Sequence, residues 1–133
     1  MNRSAASRYQ QNDVFSMSPE RRVVFLYGQT LASLRQAARH IERKEIEARA
    51  ACLIRAREIL GELLTTLDFD NGGKIAKNLA GLYAWFIDEL IQVDVHQDGA
   101  RLARVITPLA DLHSAWAQAA ESMLEPTASA AAE

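Results

Sequence analysis

Apolar residues recur along this chain in steps of three and four, in four separate stretches. The first is Val24, Tyr27, Leu31, Leu34, Ala38 and Ile41; the second is Ile46, Ala50, Leu53, Ala56, Leu60, Leu63 and Leu67. Ile75, Leu79, Leu82, Phe86, Leu90 and Val93 form the third, and Leu102, Val105, Leu109, Leu112, Trp116, Ala119 and Met123 the fourth. This spacing keeps one stripe of each helix apolar. No run alternates with period two, so no strand is expected. The pattern predicts helices over 19–42, 44–66, 74–93 and from about 98 onward.

The punctuation agrees with these limits. Ser18-Pro19-Glu20 supplies an N-cap, a proline at the first helical position and an acid in the first turn. Gly72-Gly73 stands at the start of the third helix, where one glycine is expected at positive φ and Asp70 or Asn71 is placed to cap. Asp98 suits the N-cap of the fourth. Pro108 lies inside that helix, where a proline costs about 3 kcal/mol, and predicts a kink or short break near Ile106 and Thr107. Short connectors between long helices favour antiparallel neighbours. The fold class is all-α, an up-down four-helix bundle over 18–124. A flexible polar arm (1–17) is expected before it and a disordered Ala/Ser-rich tail (125–133) after it.

Composition narrows the function. The 133 residues suit one domain. No apolar run approaches the roughly 20 residues of a membrane span, and no signal-like segment follows the start. The single Cys52 forms no intrachain disulfide and suits a small buried hydrophobe. A cytoplasmic home without membrane insertion is expected. Net charge is −2 but uneven: residues 21–57 hold nine Lys/Arg and three Glu, while 58–133 hold four Lys/Arg and twelve Asp/Glu. Two hairpins with complementary faces, or a basic strip for an acidic partner, would each explain it. The acidic half argues against nucleic acid.

Catalytic signals are poor. His40, His96 and His113 are scattered and none belongs to a Glu-x-x-His pair. Asp111 and His113 fall on different faces of a helix. Gly72-Gly73-Lys74 is followed by Ile75, not by the hydroxyl residue of a phosphate-binding loop. Asp68, Asp70 and Asn71 lack the later ligands of a calcium loop. No enzyme activity, metal or cofactor is expected. What remains is interaction. Val23, Leu26 and Ala37 form a second stripe beside the first seam, as Ala76, Tyr83 and Ile87 do beside the third, and Trp85 points off its seam. These are candidate groove residues.

One set of residues goes further. Tyr9-Gln10-Gln11-Asn12-Asp13-Val14, Ser18-Pro19-Glu20, Leu26-Tyr27-Gly28, then Leu67-Asp68-Phe69, Gly72-Gly73, Ile75-Ala76, Asn78-Leu79 and Leu82-Tyr83, with a late Trp116, resemble the flagellar secretion chaperone family, FliS. The likeness runs from about Tyr9 to Ala120. Gly28, Pro108 and the bulky Trp85-Phe86 pair depart from the family pattern. The resemblance implies a cytosolic export chaperone that binds the disordered C-terminal region of flagellin. It would prevent premature polymerisation and present its client to the cytoplasmic domain of the export gate membrane protein of the flagellar type III apparatus. The chaperone itself would be a monomer or weak homodimer. On this reading Tyr9, Gln10, Val14, Phe15, Leu26, Phe69, Tyr83, Trp85 and Ile87 are candidate contacts. In the arm, Tyr9, Val14 and Phe15 either cover the groove or, for Tyr9, meet the gate. Ser18, Pro19, Leu67, Asp68, Gly72, Gly73 and Asn78 form the structural motif. A generic four-helix interaction module for another helical secretion or signalling client is the alternative.

Overall fold

The computed structural model describes residues 17–124. The expectations for the arm, including Tyr9, Gln10, Val14 and Phe15, and for the tail lie outside them. Four helices follow one another: α1 (Pro19–Glu42), α2 (Ile46–Thr65), α3 (Phe69–His96) and α4 (Gly99–Leu124). Two or three residues join each pair, which returns the chain antiparallel to itself. Packing follows a ring: α1 against α2 and α4, α2 against α3, and α3 more loosely against α4. The result is a four-helix bundle.

The helix ends follow local chemistry. Ser18 Oγ accepts from the Arg21 N–H at 3.3 Å, with Pro19 at the first helical position. Asp98 Oδ1 accepts from the Arg101 N–H at 3.0 Å. α2 starts two residues later than the periodicity suggested, because Lys44 takes a left-handed φ of 58°. The Glu45 carboxylate, which follows it, meets His40 Nδ1 at 3.1 Å instead of capping the helix. α4 runs through Pro108 without a break. The carbonyl that Pro108 leaves unbonded belongs to Arg104, on the exposed side, where water can take it.

The start of α3 differs from the expected one. Its cap is Asp68, not Asp70 or Asn71. Asp68 Oδ1 accepts from the Asn71 N–H at 3.1 Å and Oδ2 from Asn71 Nδ2 at 2.6 Å. These donors hold the Asp68 carboxyl below its usual range. One turn, residues 69–72, forms before the main helix and is set off by Gly73 at φ 51°, ψ −123°. Only glycine takes that conformation freely.

The core runs along all four inner stripes: Tyr27, Leu31 and Leu34 of α1, Leu53, Ala56 and Leu60 of α2, Phe86, Leu90 and Val93 of α3, and Leu102, Val105 and Leu109 of α4. Each large apolar side chain removed from water in this way contributes about 1.5–3 kcal/mol. The buried row of α3 is shifted by one position at its start. Ala76 and Tyr83 are inside, while Ile75, expected on the seam, is 71% exposed. Ile46 at the start of α2 is likewise outside. Leu112 and Trp116 pack against the core from α4, whereas Ala119 is exposed and the Met123 side chain lies outside those described.

Candidate functional site

Tyr83 is a structural residue. It is 1% exposed, and its hydroxyl hydrogen-bonds that of Tyr27. The two rings lie 6.2 Å apart, and Trp116 stands 6.5 Å from Tyr27. The backbones of α1 and α3 do not meet across the ring of helices, so this tyrosine pair ties the diagonal. Burial, then the bond to Tyr83, pushes the Tyr27 hydroxyl well above the ordinary phenol range, with Trp116 acting the other way. Burial also raises Tyr83, opposed by its bond with Tyr27. Leu26 is a core residue too, and its carbonyl accepts from the Thr30 hydroxyl at 2.8 Å. Neither Leu26 nor Tyr83 lines a surface groove as expected, because each falls on the face its helix turns inward.

The remaining expected contacts among the described residues do not converge. Phe69, 49% exposed, rides on the single turn before Gly73. Trp85 is 44% exposed and lies 5.6 Å from the Phe86 ring, while Ile87 is half-buried against the core. Helical spacing places Trp85 and Ile87 on opposite flanks of α3. Among the motif residues, Ser18, Pro19, Asp68 and Gly73 shape helix starts. Leu67 packs on the core. A Cβ on Gly72 would meet Ala76 Cβ at 2.9 Å, and Asn78 is exposed.

A more coherent surface lies between α2 and α3. Cys52 Sγ approaches Gln36 Oε1 of α1 at 3.7 Å, which fixes the α1 side of α2. The opposite flank, turned toward α3, carries Ala50, Arg57 and Leu64, with Ile54 and Gly61 beside them. On α3, Glu89 meets Arg101 of α4 at 3.1 Å and Asp94 meets Arg49 of α2 at 3.0 Å, so the α2 flank of α3 is also fixed. Ala80, Ile87 and Asp94 share it, with Ala84 and Ile91 one step outward. Small residues, Ala50, Gly61, Ala80 and Ala84, are thus set along the seam among the larger Leu64 and Ile87. An added Cβ on Gly61 would find nothing within 4 Å.

Exposed Ile54 and Ile91 border this groove, and Ile46 and the 66% exposed Val95 stand at its far end. Over the 20 residues of α2 it extends about 30 Å. Sequence reasoning missed Ile54, Gly61 and Ile91. The signal lay in the small residues Ala80 and Ala84 flanked by isoleucines, a second apolar face on a helix that already had one. The Arg49–Asp94 pair closes the groove floor at one end and is the only ion pair between the basic α1–α2 half and the acidic α3–α4 half among the described residues. The other basic side chains of α1 and α2 are therefore not spent on complementarity between hairpins.

A second concavity of about 360 Å³ opens between the start of α1 and the end of α4, lined by Met17, Arg21, Val24, Phe25, Ala117, Ala120 and Glu121. Among the described residues no cluster of His, Cys, Asp or Glu could hold a metal ion, and no helix is long and apolar enough to cross a membrane.

Comparison with known proteins places this architecture. The family model described as "Flagellar protein FliS" matches residues 1–123. The flagellar secretion chaperone FliS of Bacillus subtilis is 32% identical over 114 residues, covering 86% of this chain and 84% of that protein. Its counterpart in Campylobacter jejuni is 32% identical over 115 residues, covering 86% and 90%. A solved structure described as "Crystal structure of flagellar chaperone from bacteria" shares the fold, with a TM-score of 0.74 at 22% identity, covering 92% of this chain and 99% of that one. The family's members are chaperones and not enzymes. The chain belongs to the FliS family of flagellar secretion chaperones.

Proposed function

We propose that this chaperone binds the disordered C-terminal region of flagellin in the cytoplasm. Binding keeps that segment from polymerising early and delivers it to the cytoplasmic domain of the export gate membrane protein. The observation that carries the reading is the open α2–α3 groove, where Ile54, Ile91, Ile46 and Val95 stay uncovered beside the small Ala50, Gly61, Ala80 and Ala84. A bundle built only for itself would have little reason to leave this face open. A disordered segment that turns helical can lay apolar side chains spaced by three and four into such a groove. Its ordering cost is offset only by a large wrapped surface. Small floor residues let its backbone come close.

Calorimetry of the full chain with a flagellin C-terminal peptide tests this. The expected result is binding with a negative heat-capacity change and a gain of helix by circular dichroism. Capture of the loaded complex, but not of free peptide, by the gate's cytoplasmic domain would support the delivery step. No binding of the peptide, or binding without helix gain, would contradict the proposal.

A further inference from the structure

We propose that Arg57 is the charge-reading residue of the α2–α3 groove and takes a carboxylate from a helical client, an inference that rests on the function proposed above. Arg57 is half-buried in the row Ala50–Arg57–Leu64 that α2 turns toward α3. Its neighbours at three and four residues along the helix are Leu53, Ile54, Leu60 and Gly61, so no carboxylate lies within the usual intrahelical reach. The comparison with Arg49 is direct. Arg49 sits about two turns earlier on the same helix and reaches Asp94 at 3.0 Å. Eight residues back from Asp94 on antiparallel α3 is Phe86, with Ile87 beside it, and neither can accept from a guanidinium. At this level α3 therefore offers Arg57 no counterpart of Asp94. Among the described residues, Arg57 joins no ion pair or side-chain hydrogen bond.

Beyond the Arg49–Asp94 pair, the groove is therefore apolar with one cation, unpaired among the described residues, set into its floor. An apolar helix laid over Arg57 would strip water from the guanidinium, an unfavourable step unless the helix brings an acceptor. A client helix with an Asp or Glu among its apolar anchors supplies one, in the bidentate geometry arginine favours. A client with lysine or only apolar groups at that point is rejected. The groove thus selects register, because one acid of the client must meet one arginine.

The test titrates a synthetic flagellin C-terminal peptide into the full chain, with Arg57→Gln and, as an off-groove control, Arg55→Gln. Arg57→Gln should weaken binding about tenfold and flatten its salt dependence, with Arg55→Gln within about twofold of the unaltered chain. Melting temperature should be unchanged, since Arg57 has no partner among the described residues to lose. Replacing each peptide Asp or Glu in turn by its amide should reveal one position whose loss equals that of Arg57→Gln and does not add to it. Unchanged affinity for Arg57→Gln, or losses that add at every acidic position, would overturn the proposal and leave the functional reading standing. No binding of the peptide by the unaltered chain would overturn both.

Discussion

The two flanks of α3 are both apolar, yet one is closed and the other open. Inward, Tyr83, Phe86, Leu90 and Val93 are bulky and meet equally bulky partners on the other three helices. Toward α2 and outward, Ala80 and Ala84 face Gly61, and Ile54 and Ile91 beside them are exposed. Two glycines make the same contrast. At Gly28 of α1 a Cβ would touch the His113 ring at 3.5 Å, ordinary contact in a filled interface, whereas at Gly61 it would meet open space. Apolar character alone therefore does not mark the core of this bundle. Bulk matched by bulk marks the scaffold, and small residues rimmed by isoleucine mark a surface left for another chain.

The comparison can be broken most forcefully on the closed side. Phe86→Ala should cost about 3–5 kcal/mol in urea unfolding, as expected for a fully buried aromatic. Ile91→Ala on the open side should leave the unfolding midpoint nearly in place while lowering peptide affinity. Equal destabilisation by both would erase the distinction.

Alkali probes the closed side without mutation. Folding raises the Tyr27 and Tyr83 hydroxyls above their unfolded value. Their stabilising effect is whole below the unfolded phenol pKa of about 10 and is lost as pH rises from there through the folded values. Stability should fall above about pH 10, and a Tyr27→Phe, Tyr83→Phe double variant should show a shallower fall. A pH-independent midpoint in alkali would contradict the buried pair.

Smaller effects belong to the backbone. Gly73→Ala should destabilise by about 1–3 kcal/mol, because the φ of 51° with ψ of −123° excludes a Cβ. Gly28→Ala should stabilise by about 0.5–1 kcal/mol, since its Cβ fits against His113 and helix propensity improves. A loss at Gly28 would show the α1–α4 interface to be tighter than described.

Much of the scaffold was legible in the sequence. The Ser18 and Asp98 caps and the four helices follow from local chemistry that tertiary packing does not override. The inner row of α3 was not, for a physical reason. Adjacent apolar pairs, Ile75-Ala76, Leu82-Tyr83 and Phe86-Ile87, make its stripe broad, and period alone does not choose within a pair. Bulk favoured Ile75, but the break at Gly73 and the tyrosine bond to α1 select Ala76 and Tyr83. Phe69, a candidate contact, is half exposed because it precedes that break. The groove was hardest to see, since Gly61, Ala80 and Ala84 are silent as single residues and speak only once α2 and α3 are set side by side.

Filling the groove is the sharpest probe of what it holds. Ala84 is exposed on its wall, so Ala84→Trp can be accommodated by the folded bundle while it blocks the floor. The prediction is an unchanged melting temperature together with loss of calorimetric binding to the flagellin C-terminal peptide. A folded Ala84→Trp variant that binds the peptide as tightly as the unaltered chain would contradict the assignment of the α2–α3 groove.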